Sequence, residues 1–197
     1  MIEPEQVALV LLAAGRSHRF DGDKLSEEFL DKPLAYHVVT ALEKIPFCAR
    51  IAVVSDTRLD FAERGYRVIE NPDPSLGRAR SLCHGVAAAK EAGCGYVLVA
   101  LADMPRVTAA HVCRLLDAGN GPETIVASSD GVRPMAPALF GSGRFDALLA
   151  LDGEDSAREL IKAGRHVVTT PAELVDIDTR HDLDELRALY GLPTDGK

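Results

Sequence analysis

The sequence has no apolar run approaching the roughly 18 residues that cross a bilayer, although 47% of its 197 residues are hydrophobic. That excludes a membrane span and predicts a globular protein. The opening stretch MIEPEQVALVLLAAG lacks the basic start of a signal peptide and instead carries Glu3 and Glu5 ahead of its apolar part. A cytoplasmic protein is the expectation. Cysteine is scarce: Cys48, Cys83, Cys94 and Cys113 form no close pair and have no histidine at zinc-finger spacing. Neither a disulfide framework nor a structural metal site is indicated, and buried reduced thiols are predicted. The six histidines are dispersed and indicate no transition-metal site. Positive charge is in deficit, 22 Lys and Arg against 30 Asp and Glu, a formal charge of −8. Such a surface disfavours broad contact with nucleic acid or anionic membrane, which positive charge drives. A polyanionic ligand must therefore meet a local basic cluster.

No repeat, low-complexity tract or Pro/Gly/Ser linker divides the chain, and its length suits one α/β domain over residues 1–197. What does recur is an apolar stretch followed by a helical pattern. Val7–Leu12, Ile51–Val54, Tyr96–Ala100 and Ile125–Ala127 read as strands, continuous enough in Val, Ile and Leu to be covered on both faces of a parallel sheet. Helical spacing predicts helices over Pro33–Ile45, Ala79–Ala92, Thr108–Ala118 and Arg158–Ala163. A final helix starts at a capping box formed by Thr179 and Asp182. Ser129–Gly143, rich in Gly, Pro and Ser, reads as an irregular excursion that contributes to an acceptor pocket. Pro193–Lys197 reads as a frayed tail.

The first strand runs into Ala13, Ala14, Gly15, Arg16, Ser17, His18, Arg19, Phe20, Asp21, Gly22, Asp23 and Lys24. Small residues allow close backbone approach, turn N–H groups can point at phosphate oxygens, and Arg16, Arg19 and Lys24 supply fixed positive charge. Phosphate binding is the natural inference, with an ordinary strand-to-helix turn bearing solvated cations as the alternative. No Gly-Lys-Ser/Thr follows, so this is not a Walker A loop, and Gly15 and Gly22 have the wrong spacing for a dinucleotide turn.

The stretch LLAAGRSHRFDGDKL, residues 11–25, resembles the signature loop of the MobA-like nucleotidyltransferases, L-x-A-G-x-S-x-R-M/F-G-x-x-K. The family includes enzymes that attach GMP or CMP to the molybdenum cofactor. Asp21 stands where that pattern usually has Gly. Carried over, the resemblance implies that Leu12, Ala13, Ala14, Gly15, Arg16 and Ser17 wrap the nucleoside triphosphate. Arg19 and Lys24 would neutralise the leaving group and the reacting α-phosphate.

Three further segments match in the expected order. Asn71-Pro72 with Gly77-Arg78-Ala79-Arg80-Ser81-Leu82 resembles the family's N-P…G-x-x-x-S-L segment and implies that Asn71, Gly77 and Ser81 lie near the nucleotide. For Arg78 and Arg80 a solvated helix start is an equal reading. Leu101-Ala102-Asp103-Met104-Pro105 resembles L-x-D-x-P. A carboxylate just past a parallel strand sits at the ligand edge of an open α/β sheet, and Asp103 there suits magnesium, a hard ion that prefers oxygen. The other reading of Asp103 is a turn cap ahead of Pro105. Val175-Asp176-Ile177-Asp178-Thr179 resembles D-I-D-T. Read as a strand, it puts Val175 and Ile177 on one face and Asp176 and Asp178 on the other, roughly 6–7 Å apart. One further metal contact comes from this pair; Asp176 is slightly preferred, because Asp178 also reads as support for the following cap, but the sequence does not separate the two. Asp155 in Gly153-Glu154-Asp155-Ser156-Ala157-Arg158 resembles an acceptor-side element, with a helix-start acid as the equal alternative.

The resemblance implies a Rossmann-like α/β/α sandwich with a mainly parallel sheet, Mg²⁺ as cofactor, and direct in-line attack by a small phosphorylated acceptor. No G-x-S-x-G elbow and no catalytically spaced Cys or His argues for a covalent intermediate. Ala13-Ala14-Gly15 resembles the cytidylyltransferase branch rather than the Ala-Gly-Gly of guanylyltransferases and implies CTP. Molybdopterin is the acceptor of that branch, where G-H-P is common, but Arg133-Pro134-Met135-Ala136-Pro137 stands at the corresponding place. Arg133 is the acceptor-side candidate, another phosphorylated acceptor stays open, and so does a molybdoenzyme partner. Two other functions compete: a non-catalytic cofactor-binding or escort protein of the same fold, and an NAD(P)-dependent oxidoreductase, against which the glycine spacing counts.

Overall fold

The computed structural model describes residues 1–15, 20, 22–151 and 156–193. The first strand, β1 (Val7–Ala13), has all seven residues buried. Its side chains alternate between two apolar clusters. Val7, Leu9, Leu11 and Ala13 join one, Ala8, Val10, Leu12 and Ala14 the other, so each face of the sheet must be roofed by helices.

The other long strands are β4 (Ala49–Val54), β5 (Arg67–Glu70), β6 (Tyr96–Leu101), β7 (Ile125–Ser129), β8 (Pro134–Gly141) and β9 (Arg165–Val168). With β1 they form a seven-stranded sheet in the order β5-β4-β1-β6-β8-β7-β9. Only β8 runs against the rest. The short hairpin β2 (Glu28–Phe29) and β3 (Lys32–Pro33) stands apart and turns at Leu30 and Asp31, both at positive φ. Helices α1 (Ala35–Leu42) and α3 (Ala109–Ala118) contribute to the first cluster. Helices α2 (Arg78–Glu91), α4 (Phe145–Leu149) and α5 (Ser156–Ala163) contribute to the second. The result is the Rossmann-like three-layer α/β/α sandwich with a mainly parallel sheet. No helix among the described residues is long and apolar enough to cross a membrane.

Several expectations are corrected. Ser129–Gly143 is no irregular excursion, since most of it is β8, paired on both sides within the sheet. Pro134 is tolerated as the first residue of the strand, and Pro137 because it falls with Ala136 in a bulge opposite the Ala127–Ser128 step, where Ser128 Oγ donates to the Pro137 carbonyl at 2.7 Å. Pro33 does not open a helix. It closes the hairpin, and α1 begins two residues later. Residues 175–178 belong to no ladder. Ile177 is fully buried while Val175 is 38% exposed, so the two do not share a face. Cys94 is buried, but Cys48 and Cys113 are exposed, and all four thiols are free. The tail assigned to Pro193–Lys197 falls, from residue 194 on, outside the described residues.

Helix α6 (Arg180–Leu189) starts as the sequence predicts. Thr179 accepts from the Asp182 N–H at 3.1 Å, and the Asp182 carboxylate accepts from the N–H groups of Thr179 and Asp178 at 2.7 and 2.9 Å. Those bonds hold the Asp182 carboxyl below its usual range against the opposing effect of burial. Leu183 and Leu186 pack with Phe20, Phe29, Leu34 and Ile177 in a third cluster, which fixes the segment before α6 against the hairpin.

On the other side of the sheet, α2 approaches β1 closely through Gly85, where an added Cβ would lie 2.3 Å from Val10 Cγ1. Overpacking there costs about 1–3 kcal/mol and outweighs the roughly 1 kcal/mol that alanine gains over glycine in a helix. Gly85→Ala is expected to lower the midpoint of urea unfolding, and an unchanged or raised midpoint would contradict this packing. Thr179→Ala, which removes one half of the cap, is expected to cost about 1 kcal/mol in the same measurement.

Candidate functional site

The carboxyl ends of β1, β4, β5 and β6 meet at one edge of the sheet, where open α/β sheets hold ligands. A cleft of about 320 Å³ opens there, lined by Leu12, Ala13, Ala14, Gly15, Lys24, Leu25, Pro74, Ser75, Gly77, Arg78, Ser81, Leu101, Asp103 and Asp178. Asp103 is delivered by the sheet itself. The Ala102 N–H donates to the Leu12 carbonyl at 3.0 Å, which continues the β1–β6 pairing one step past the end of β6. The Asp103 carbonyl in turn accepts from the Ile177 N–H at 3.0 Å, and this bond draws residues 176–178 alongside.

Lys24 lies at the start of a 3₁₀ turn, Lys24–Ser26, whose Leu25 is buried in the first cluster. Its side chain is only 8% exposed, and Nζ donates to Asp103 Oδ2 at 2.9 Å, with Asp178 Oδ1 at 3.7 Å. Asp103 Oδ1 is also buried, and among the described residues it has no hydrogen-bond partner. A buried carboxylate oxygen left without a donor is costly unless a ligand satisfies it.

Asp176 lies beside this group without lining the cleft. Although the residue as a whole is exposed, local desolvation and then the charges of Asp103 and Asp178 raise its carboxyl above the usual range, while Arg78 opposes them. The edge thus gathers more negative charge than Lys24 balances, and an incoming cation is electrostatically favoured. Among the described residues no three metal-ligating side chains converge into a ready-made cage. A hard divalent cation can be held by one or two carboxylates together with ligand phosphates and water. The donor set and the orphaned Oδ1 therefore fit a hard divalent cation.

The residues expected on the nucleotide side divide three ways. Leu12, Ala13, Ala14, Gly15, Lys24, Gly77 and Ser81 come together in the cleft. Asn71 stands just behind it, buried, with Nδ2 donating to Ser81 Oγ at 2.9 Å and Oδ1 accepting from the Asp73 N–H at 3.1 Å, so it shapes the loop. Gly77, at φ 88°, joins that loop to the first turn of α2 in a conformation other residues resist. Arg16, Ser17 and Arg19 lie outside the described residues, as do Asp21 and Asp155.

Arg133 does not line the cleft. It is exposed in the β7–β8 turn, where Asp130 Oδ1 accepts its N–H at 2.7 Å, at the same edge of the sheet. Between the two arginines that the sequence left open, Arg78 borders the cleft, while Arg80 is exposed and does not. Pro74, Ser75 and Leu25 were not foreseen. The Asp73-Pro74 turn signal was available for the first two, since Asp73 caps that turn by accepting from the Ser75 N–H at 3.2 Å.

The Bacillus subtilis purine catabolism protein PucB is 30% identical over 121 residues, 58% of each chain. A probable molybdenum cofactor guanylyltransferase from Pyrococcus horikoshii is 34% identical over 97 residues, 48% of this chain and 47% of that one. The match thus spans about half the length of these curated relatives. Among solved structures, Rv0371c of Mycobacterium tuberculosis superposes with a TM-score of 0.77 at 25% identity, covering 92% of this chain and 96% of that one. A structure of the same protein in complex with manganese superposes with a TM-score of 0.71 at 22% identity, covering 92% and 97%. Residues 9–169 match the family described as the MobA-like NTP transferase domain, and the chain belongs to that family.

Proposed function

We propose that this protein is a divalent-metal-dependent nucleotidyltransferase that moves a nucleoside monophosphate, CMP from CTP, onto a small phosphorylated acceptor. The observation that carries the reading is Asp103. It is a carboxylate at the ligand edge of the sheet, paired on one oxygen with a buried lysine and orphaned on the other, above a cleft walled by the backbone of Ala13–Gly15. Magnesium held through Asp103 and Asp178 would screen the anionic reactants, and the manganese complex of the mycobacterial relative is in keeping with a divalent ion.

The acceptor phosphate is already ionised near neutral pH, so the chain needs to supply placement and charge more than proton transfer. An acceptor oxygen attacks the α-phosphorus in line, the bond from the α-phosphorus to the bridging oxygen breaks, and pyrophosphate leaves with the electron pair. Lys24, with Arg19 five positions before it in the sequence, meets the charge that builds on the phosphates. The N–H groups of the turn after β1 and the first turn of α2 border the same space and favour anionic groups. Ala13-Ala14-Gly15 supports cytidine, while the guanylyltransferase relative makes GTP the first competitor. Molybdopterin is the first acceptor to offer. The turn carrying Arg133, at the same edge, is the proposed acceptor side, together with Asp155.

Pyrophosphate release with each of the four nucleoside triphosphates, with and without Mg²⁺ and molybdopterin, tests this reading. Release is expected only with a triphosphate, metal and acceptor together, fastest with CTP. Asp103→Asn is expected to slow it on the order of a hundredfold. An Asp103→Asn variant as fast as the wild type would sink the assignment of the site. Asp178 borders the cleft and Asp176 does not, so Asp178→Asn is expected to raise the Mg²⁺ concentration needed for half-maximal rate more than Asp176→Asn does. The reverse ranking would reassign the second ligand.

A further inference from the structure

Asp23, immediately before Lys24, has no role in the reading above, yet its carboxylate is the meeting point of two segments far apart in sequence. Its Oδ2 accepts from the Ser26 hydroxyl, from the Arg58 N–H at 2.9 Å and from the Thr57 hydroxyl at 3.2 Å. Ser26 belongs to the turn that carries Lys24, while Thr57 and Arg58 lie in the loop that follows β4. The Ser26 N–H also donates to the Asp23 carbonyl at 3.1 Å, and the Glu27 N–H to the Lys24 carbonyl at 3.2 Å, so the turn is tightly wound about this point. These donors keep the Asp23 carboxyl ionised below its usual range, against the opposing effect of burial.

We propose that Asp23 is a positioning residue for Lys24, its carboxylate pinning the Lys24 turn to the loop after β4 so that the ammonium reaches Asp103 and the phosphates. The inference rests on the nucleotidyltransferase reading for what Lys24 does, though not for where it sits. A long, flexible lysine held 79 residues from its partner loses rotamer freedom on pairing, and a fixed backbone beneath it limits what else must be ordered. Misplacement of such a group by about 1 Å is enough to lower a rate markedly.

The test is a double-mutant cycle of Asp23→Ala and Lys24→Met, read by calorimetric binding of Mg²⁺ and CTP and by the rate of pyrophosphate release. A crystal structure of unliganded Asp23→Ala accompanies it. Asp23→Ala is expected to weaken CTP binding about tenfold when Lys24 is present and less than about twofold when it is methionine. Asp23→Asn, which keeps an acceptor oxygen, is expected to recover most of the loss. In the crystal, Lys24 Nζ is expected to leave hydrogen-bond range of Asp103. Equal losses in both backgrounds, or an intact Lys24–Asp103 contact without Asp23, would overturn the proposal. Should Asp23→Ala fail to fold, Thr57→Val removes one of the donors and serves in the same cycle with the same expectations. A wild type that binds no nucleoside triphosphate would instead refute the nucleotidyltransferase reading, and the crystal structure would still judge the role of Asp23.

Discussion

The buried contact between Lys24 and Asp103, 2.9 Å long, is the constraint to which the rest of the site answers. Removing a carboxylate and an ammonium from water costs several kcal/mol per ion, and their attraction rarely repays more than that cost. A pair of this kind is a poor choice for stability alone. Here it is also incomplete, because Asp103 keeps a second buried oxygen without a donor among the described residues, Asp178 shares the same lysine, and Asp176 adds its charge beside both acids. The edge carries more negative charge than Lys24 balances, and in the proposed function a divalent cation would make good the shortfall.

The remainder of the fold brings these groups to one edge and keeps them there. The alternation of β1 between two apolar clusters fixes the sheet in the middle of the molecule, and its pairing with β6 carries on to Ala102, so Asp103 emerges beside Ala13 and Ala14. The close approach of α2 through Gly85 sets the helix against the back of β1, with its first turn opening onto the cleft. The third cluster, under Ile177 and Leu183, locks the Asp176–Asp178 segment to the hairpin that follows Lys24. Each of the acids is therefore held by backbone pairing or a cap rather than by a mobile side chain, as a site that must place charge within fractions of an ångström requires.

Much of this was legible in the sequence, for identifiable reasons. The β1, β4, β6 and β7 strands are continuous apolar runs, and burial on both faces leaves no other reading of them. The Thr179/Asp182 cap is a spacing rule written in side-chain oxygens. Strand β8 was not legible because Pro134, Pro137 and the neighbouring glycines argue locally against a ladder. The bulge lies in β8 itself, where Ala136 and Pro137 are the extra residues opposite the single step from Ala127 to Ser128, and only the pairing with β7 reveals it. The Val175–Asp178 segment alternates like a strand but lies in no ladder, and the backbone bond from the Ile177 N–H to the Asp103 carbonyl, which ties it to the sheet edge, has no signature in the local sequence. Asp23 was hidden for a similar reason, since its partners Thr57 and Arg58 are 34 and 35 residues away and nothing local announces them. The one-residue choice between Asp176 and Asp178 required three dimensions, because only the structure distinguishes the carboxylate that borders the cleft from the one beside it.

The most direct test of the account is a crystal structure of the wild-type protein with Mg²⁺ and a non-hydrolysable CTP analogue. The cation is expected at about 2.0–2.1 Å from an oxygen of Asp103, with the phosphates lying between Ala13–Gly15 and Lys24. Nucleotide bound away from this edge, or a cation that bridges the phosphates without touching Asp103, would contradict it.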